Sequence, residues 1–204
     1  MPEKKIKIAV TGGIGSGKSE FCKYLSSKGY PVISADYEAK QILASDTAVK
    51  NQIIQSFGKE AFTAEGPNTK YLAEKVFSDP EKVRKINSII HPRVIKKINA
   101  LMNNSLQKNN IVFVEAALIY EAAMEEMFDY VVLITASEAA KISRIIQRDN
   151  STEEAVRKRM ENQISDDIKE THADFTFKND ADLNQLFAKA DFLITIVKTM
   201  SGVK

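Results

Sequence analysis

The stretch Ile6–Phe21, IKIAVTGGIGSGKSEF, decides the fold. It holds four of the chain's eight glycines, all between positions 12 and 17, directly after a short β-branched run. A short apolar run that ends at glycines predicts a buried strand. Residues 18–28 predict a helix with apolar side chains on one face and Gly29 at its carboxyl end. A glycine-rich turn between a strand and a helix is suited to binding phosphate groups.

Within that turn, residues 12–19 match the pattern G-x-x-x-x-G-K-[ST]. Glycines allow positive φ and a close approach of the main chain to an anion, so that successive N–H groups surround phosphate oxygens. Lys18 is expected to reach the β- and γ-phosphates, and the Ser19 hydroxyl to ligate Mg²⁺. A glycine-rich connection without a ligand is the alternative, but the flanking strand and helix favour nucleotide binding. The expected ATP-binding residues of this loop are Gly13, Ile14, Gly15, Ser16, Gly17, Lys18, Ser19 and Glu20.

Composition excludes several classes of protein. The chain has 204 residues, with 29 basic against 27 acidic side chains, and this near balance argues against a general nucleic-acid-binding protein. A single cysteine, Cys22, excludes an internal disulfide framework and fits a reducing compartment. No stretch approaches the roughly 18 apolar residues of a membrane helix. We therefore expect a cytoplasmic protein with neither a nucleic-acid nor a membrane partner.

Strands alternate with helices along most of the chain, which predicts an α/β fold with a parallel sheet covered on both faces. The expected strands are 6–10, 31–35, 111–114, 130–134 and 174–177. Helices are expected over 138–149 and 152–164, the second with a capping box formed by Ser151 and Glu154, and from about Asp182 onward.

Residues 37–107 show a helical pattern without a convincing strand. Asp79 followed by Pro80 predicts a helix start, and the segment Gly66–Asn68 predicts a loop. We therefore expect an all-helical lobe, residues 37–107, inserted into a core formed by residues 1–36 and 108–204.

The phosphate loop occurs in nucleotide switches and in small-molecule kinases, and other motifs in the sequence distinguish the two classes. A guanine-nucleotide switch would usually contain Asn-Lys-x-Asp and Asp-x-x-Gly, and neither pattern occurs in the chain. A small-molecule kinase needs an acceptor-binding lobe, a group beside the acceptor hydroxyl and cations over the phosphates. The chain offers candidates for all three, so the sequence favours a kinase.

Asp36 closes the second expected strand, on the edge of the sheet where the phosphate loop lies. One interpretation is that Asp36 accepts or orients the proton of an attacking hydroxyl. The alternative is that its side chain caps the following helix. Arg144 and Arg148 lie four residues apart, and with Lys141 they either cover the transferring phosphates or form a solvated basic helix face. From position alone these alternatives stay open.

Two further residues have open roles. His91 precedes Pro92, which predicts a break between helices at this point, and it either contacts a substrate or caps a helix. Glu115 ends the third expected strand and either holds Mg²⁺ through water or is a solvated carboxylate. His172 is expected on the surface.

The ordered set of motifs resembles the dephospho-coenzyme A kinase family from about Ile6 to about Phe192. The phosphate loop is common to many proteins, whereas the ordered set is much more specific. The resemblance rests on Thr11–Ser19, Val32–Asp36, Ile89–Pro92, Leu118–Glu121, Gln147–Asp149, Arg159, Gln163, Ala173–Phe175 and Asn179.

The resemblance implies a three-layer phosphate-loop core with sheet order 2-3-1-4-5, a helical acceptor-binding lobe and a helical lid at about 138–165. It implies ATP-dependent phosphorylation of the ribose 3′-hydroxyl of dephospho-coenzyme A, with Mg²⁺. We further expect a monomer or weak homo-oligomer. By its position Asp36 becomes the acceptor-side carboxylate. Ser34 replaces the family's first aspartate, so only Asp36 can act as a base there. Arg148 becomes a catalytic lid residue near the nucleotide, and Asn179 an adenine-side residue. His91 and Leu118 become acceptor-binding candidates.

Other readings of the sequence remain. A different small-metabolite or nucleoside monophosphate kinase on the same core is the first alternative, and an ATP-binding regulator without turnover is the second. Identification of the acceptor distinguishes among the three.

Overall fold

The computed structural model describes residues 4–76 and 79–202. The chain divides into two compact units. The first comprises the residues up to Ser34 and those from Leu101 onward, and the second comprises Ala35–Ala100.

The first unit contains a sheet of five strands, all parallel. They lie in the order β2-β3-β1-β4-β5. This order is the one predicted from the resemblance. The bounds of the strands are β1 Ile6–Thr11, β2 Val32–Ser34, β3 Ile111–Glu115, β4 Tyr130–Thr135 and β5 Phe175–Lys178.

Helices account for most of the remaining residues that the structure describes. Their bounds are α1 Lys18–Ser27, α2 Ala35–Ser45, α3 Thr47–Phe57, α4 Thr69–Val76, α5 Pro80–Ser105, α6 Glu138–Asp149, α7 Glu153–Glu161, α8 Asp166–Glu170 and α9 Leu183–Ser201. Within the described residues, 4–76 and 79–202, no helix is both long and apolar enough to cross a membrane.

The core of the first unit packs α1 and α9 against the central strands. Phe21 and Leu25 of α1, Leu193 of α9, and Phe113 of β3 are fully buried. Because both faces of a parallel sheet are covered, its central strands read as near-continuous apolar runs, and β4 and all but the last residue of β3 have that composition. Cys22 is buried in the same cluster.

The second unit is built around a smaller apolar cluster of Val49, Ile53, Ala61, Leu72 and Ile89. The sequence predicted an all-helical lobe here, and that prediction is wrong, because the unit also contains a short pair of strands. Phe62–Thr63 and Gly66–Pro67 pair as a two-stranded antiparallel hairpin. Strands of two residues are too short to leave a recognisable pattern in the sequence.

Helix α5 continues through Pro92 from Pro80 to Ser105, so the predicted break at His91 is wrong. Proline at position 92 removes one hydrogen bond of the helix. Ile89 and Val94, on either side of the proline, are both buried. Their packing outweighs the local cost, since tertiary contacts supply most of a helix's stability in a protein.

Helix starts were predicted with mixed success. Asp79 accepts a hydrogen bond from the N–H of Glu81 at 2.9 Å, and the Asp182 side chain caps α9, as expected. The capping box at Ser151 is wrong, because Thr152 is the N-cap of α7 and accepts from the N–H of Ala155. The short helix α8 was not predicted.

Candidate active site

The turn between β1 and α1 has the backbone conformation that its glycines allow. Gly15 and Gly17 adopt φ of 80° and 96°, which favours glycine over residues with a side chain. The N–H of Ser16 donates to the carbonyl oxygen of Gly13 at 3.1 Å and closes the turn. Helix α1 follows at Lys18, so its amino end faces the turn.

The glycines of this turn also make room for the protein's own atoms. A Cβ added at Gly15 would lie 2.6 Å from the carbonyl oxygen of Lys141 in α6. A Cβ at Gly17 would lie under 3.0 Å from the side-chain nitrogen of Asn179, and one at Gly12 equally close to the carbonyl oxygen of Ile134. Close packing around the turn therefore requires glycine at these positions.

A buried ion pair lies at the amino end of α1. The Lys18 ammonium is 2.8 Å from Oε1 of Glu115, and their side chains are 8% and 14% exposed. The Ser19 hydroxyl donates to the same oxygen at 2.6 Å. Glu115 reaches this position because β3 lies beside β1, with Val10 opposite Glu115 in the register.

The pKa of Glu115 is lowered although burial acts to raise it. The positive charge of Lys18 and the hydrogen bonds from Lys18 and Ser19 outweigh the desolvation of the carboxylate. Glu115 is therefore ionised at neutral pH. The alternative that this residue is a solvated carboxylate is wrong.

The oxygen atoms of Ser19 and Glu115 fit a magnesium ion. Mg²⁺ prefers oxygen ligands, and in phosphate sites it takes one or two from the protein while water and substrate phosphates supply the rest. A hydroxyl and a carboxylate in direct contact, both beside Lys18, match that pattern.

Arg144 lies on α6 and reaches the main chain of the turn. Its guanidinium donates to the carbonyl oxygens of Gly15 at 3.2 Å, Ser16 at 3.5 Å and Asn179 at 2.8 Å. The sequence offered two roles, a cation over phosphates or a solvated face. The structure shows a side chain bound to backbone, so the solvated-face alternative is wrong for Arg144.

Asn179 is buried, with 4% exposure, directly after β5. Its side-chain amide donates to the carbonyl oxygen of Ser16 at 2.8 Å. Its main-chain N–H donates to the carbonyl oxygen of Thr135 at 2.7 Å, which extends the pairing of β4 with β5. Asn179 and Arg144 thus contact the same carbonyl of the turn.

Arg148, four residues beyond Arg144, has a different environment. It forms two hydrogen bonds with Asp149, at 2.7 and 3.0 Å, and Arg159 also pairs with Asp149 at 2.9 Å. The two arginines lower the pKa of the Asp149 carboxyl group well below its ordinary value. The Arg148 side chain is 61% exposed, so its guanidinium is accessible on the surface of the first unit.

The segment from Gln163 to Lys169 joins α7 to α8 and includes most of α8. It contacts the turn, and the sequence analysis assigned it no role, since Gln163 entered only as part of the resemblance. The N–H of Ile14 donates to Oε1 of Gln163 at 3.0 Å. Asp166 forms an ion pair with Lys141, and its Oδ1 would lie 3.2 Å from a Cβ at Gly13. These residues line part of a cavity of about 740 Å³ beside the turn.

A second buried ion pair anchors that segment. Lys169 is fully buried in α8, and its ammonium is 2.9 Å from Oε1 of Glu121 and 3.3 Å from the carbonyl oxygen of Ala117. The same carboxylate oxygen accepts from the N–H of Ile164 at 2.9 Å. Leu118, an acceptor-binding candidate, lies half-buried in the turn that these contacts hold.

Two predicted site residues belong to the second unit. Asp36 is exposed in the first turn of α2, which begins at Ala35. The residue therefore lies inside the helix, and its interpretation as the cap before that helix is wrong. His91 is half-buried within α5. His172, in the first unit, is exposed as expected.

A parallel sheet that leads through a glycine turn to a helix with Lys18 and Ser19 at its start defines a phosphate-loop nucleotide-binding protein. A shikimate kinase from Acinetobacter baumannii has this fold, with a TM-score of 0.56 at 13% identity over 97% of this chain and 95% of that one. The chain belongs to the dephospho-CoA kinase family, whose model matches residues 6–185.

Individual members of the family are similar over nearly their whole length. A dephospho-CoA kinase of Salinibacter ruber is 36% identical over 185 residues, which cover 90% of this chain and 93% of that protein. The structure of a dephospho-CoA kinase from Campylobacter jejuni superimposes with a TM-score of 0.69 at 29% identity, covering 96% of this chain and 97% of that one.

Proposed function

We propose that the chain transfers the γ-phosphate of ATP to the ribose 3′-hydroxyl of dephospho-CoA, giving CoA and ADP, the last step of CoA biosynthesis. The match to the family model over residues 6–185 carries this proposal. A phosphate loop alone is common to many nucleotide-binding proteins, whereas the family match includes the second unit as well.

The phosphate loop holds the triphosphate. Its residues Gly13–Ser19, together with Glu20, form the nucleotide site, and Lys18 contacts the β- and γ-phosphates. When bound, Mg²⁺ neutralises charge on the phosphates as it develops, and Ser19 and Glu115 are the residues that would hold it. Lys18 must exchange part of its contact with Glu115 for contact with phosphate.

Asp36 is the acceptor-side carboxylate. The 3′-oxygen forms a bond to the γ-phosphorus while the bond from that phosphorus to the β–γ bridging oxygen breaks, and the hydroxyl proton passes to Asp36. ADP leaves with the electron pair of the broken bond. The exposure of Asp36 in the first turn of α2 supports this role, because the carboxylate is accessible to a ligand.

The remaining site residues have supporting roles. Arg148, on α6 within the lid of about 138–165, contacts the nucleotide and stabilises the transferring group, and its exposed guanidinium supports this role. Arg144 belongs to the nucleotide site, and Asn179 to its adenine side. His91 and Leu118 contact the acceptor in the lobe 37–107 and in the turn after β3. We further propose a cytoplasmic monomer or weak homo-oligomer.

An acceptor panel tests the reaction. The protein is incubated with ATP, Mg²⁺ and separate hydroxyl acceptors, namely dephospho-CoA, shikimate, gluconate and nucleoside monophosphates, and ADP release is measured. We expect rapid ADP formation only with dephospho-CoA, and a product that has gained phosphate at the ribose. Turnover with another acceptor, or ATP binding without any transfer, would contradict the proposal.

Lys18→Ala is the matched inactive control for this assay. The variant lacks the ammonium that contacts the transferred group, so ADP formation should fall to background. Undiminished turnover would show that the phosphate loop is not the site of the reaction.

A further inference from the structure

The structure assigns Arg144 and Asn179 a positioning role: together they hold two carbonyl groups of the phosphate loop, and thereby keep the turn closed and aim the N–H of Gly17 at the polyphosphate. We call this pair the carbonyl clamp. The inference rests on the proposed nucleotide site, but it concerns how the protein shapes that site before a ligand arrives.

The contacts of the carbonyl clamp converge on one peptide. The carbonyl oxygen of Ser16 accepts from the Asn179 amide at 2.8 Å and from the Arg144 guanidinium at 3.5 Å. The guanidinium also binds the neighbouring carbonyl of Gly15 at 3.2 Å. Two consecutive carbonyls of the loop are therefore turned toward the protein and away from the ligand side.

A planar peptide links each carbonyl to the next N–H in the opposite direction. When Ser16 C=O is fixed against Asn179, the N–H of Gly17 must point away from the clamp. When Gly15 C=O is fixed against Arg144, the N–H of Ser16 is aimed the opposite way, where it closes the turn onto Gly13 at 3.1 Å. The clamp thus sets the orientation of the Gly17 N–H, a donor that a phosphate needs, and supports the closed turn through the Ser16 N–H.

The clamp is itself rigidly held. The third contact of Arg144 is the carbonyl oxygen of Asn179 at 2.8 Å, so the two residues support each other. Asn179 is buried and its main chain continues the pairing of β4 with β5 through Thr135. A guanidinium that donates to three carbonyls from a rigid planar group is suited to this task, whereas an ammonium carries its donors on one atom and lacks that fixed planar geometry.

Glycine is required at position 17 by the clamp itself and at position 15 by the main chain of α6. A Cβ at Gly17 would overlap the Asn179 amide, and a Cβ at Gly15 would overlap the main chain of α6 next to Lys141. Both glycines also adopt positive φ. The loop, the start of α6 and the residue after β5 therefore fit together as one unit.

Arg144 additionally keeps its full positive charge at the loop. The guanidinium donates to neutral carbonyls, and in the part of the chain that the structure describes no carboxylate forms an ion pair with it. This charge favours any anion bound on the far side of the loop. Arg144→Lys retains the charge and removes the planar donor set, so it separates geometry from charge.

The test uses inorganic tripolyphosphate, which has the three phosphates of ATP without adenine or ribose. Dissociation constants of ATP and of tripolyphosphate are measured by calorimetry for the wild-type protein and for Arg144→Lys. We expect both constants to rise by a similar factor, about 10- to 100-fold, because two or more hydrogen bonds to a charged donor are lost. Asn179→Ala should raise both by about 3- to 10-fold.

Matched controls make the same chemical changes away from the loop and the lid. Arg84→Lys alters an exposed arginine that pairs with Glu81, and Asn109→Ala removes an amide that donates to the carbonyl oxygen of Ser105. Both controls should leave the two dissociation constants within twofold of the wild type. Thermal unfolding confirms that each variant is folded.

Several results would overturn the inference. If Arg144→Lys weakens ATP but leaves tripolyphosphate within twofold, the residue acts through adenine. If neither constant changes, the contacts do not orient the loop. Should Arg144→Lys not fold, Asn179→Ala decides alone, because it removes one bond from a carbonyl that Arg144 still holds.

The outcome is independent of the acceptor. Suppose that tripolyphosphate binding depends on the clamp as expected, but the protein does not phosphorylate dephospho-CoA. That result would refute the proposed reaction and would still support the positioning role of Arg144 and Asn179. A wild-type protein that binds neither ATP nor tripolyphosphate would refute the nucleotide site itself.

Discussion

Glu115→Gln tests the buried ion pair at the start of α1. The substitution keeps the size of the side chain and one acceptor oxygen, and it removes the negative charge that lies 2.8 Å from the Lys18 ammonium. Because both side chains are nearly inaccessible, Lys18 would lose the negative charge that lies beside its buried ammonium in the ligand-free protein.

The expected loss of stability follows from that burial. Removal of one partner of a buried ion pair costs about 3–5 kcal/mol, and the hydrogen bonds that glutamine retains with Lys18 and Ser19 recover part of it. We expect the free energy of unfolding to fall by about 2–4 kcal/mol at pH 7, which for a chain of this size lowers Tm by about 4–16 °C. Urea and thermal unfolding measure the two quantities.

The effect has a defined dependence on pH. The pKa of Glu115 is lowered in the folded protein, so its contribution to stability is present above the ordinary glutamate pKa and disappears as the pH falls through the folded value. The difference between wild type and Glu115→Gln should therefore be full at pH 7 and should shrink below about pH 4.

A surface pair provides the control. Glu154 pairs with Lys158 on α7, where both side chains are more than two-thirds exposed, and Glu154→Gln should leave unfolding unchanged within error. Equal stability of Glu115→Gln and wild type at pH 7 would refute the argument. So would a deficit that persists undiminished at low pH, because it would then not depend on the carboxylate's charge.

Three further predictions concern the proposed reaction and the loop. Asp36→Asn should lower kcat by about 10²–10⁴ while the dissociation constant of ATP stays within a few-fold, as measured by steady-state kinetics and calorimetry, and an unchanged kcat would exclude Asp36 as the base. Arg148→Ala should lower kcat/KM for ATP by about 10-fold or more. Normal kinetics would show that Arg148 does not act on the nucleotide and belongs to a solvated helix face. Gly17→Ala should lower Tm more than Gly29→Ala does: both glycines have positive φ, but only a Cβ at Gly17 meets the Asn179 amide, while nothing lies within 4 Å at Gly29. Equal effects of the two glycine substitutions would show that crowding at Gly17 is unimportant.

Local features of the fold could be predicted because a few adjacent residues determine them. The turn at 12–19 follows from its own glycines and from the strand and helix beside it. The starts of α5 and α9 follow from Asp79 and Asp182, whose side chains accept hydrogen bonds from N–H groups two and three residues further on. At α7 two polar residues compete, and the structure selects Thr152 over Ser151.

The support of the site could not be predicted in the same way. Arg144 was recognised as a candidate cation, but its partners are carbonyls up to 129 residues away in the chain. Gln163 was noted only as part of a resemblance, since its contact with Ile14 spans 149 residues. Main-chain carbonyls carry no signature in the sequence, so contacts to them remain invisible until the chain is folded.

The hydropathy of the residues in α8 predicts the wrong side chains to be buried. A pattern of apolar residues would bury Ile168 and expose Lys169, whereas the structure leaves Ile168 54% exposed and buries Lys169 completely. The ammonium is stable there because Glu121 and the carbonyl of Ala117 surround it. A short helix whose apolar residue faces outward is explained by these polar partners.

The lone thiol of the chain has a practical consequence. Cys22 lies in α1, on the helix that begins at the phosphate loop, and burial together with the charge of Glu115 raises its pKa despite the opposing influence of Lys18. Alkylating reagents act on exposed thiolate, so the native chain should react only when α1 separates from the sheet. The rate at which Cys22 is alkylated therefore measures how often the nucleotide-binding unit opens. Mass spectrometry can follow this rate at a single site without an introduced probe.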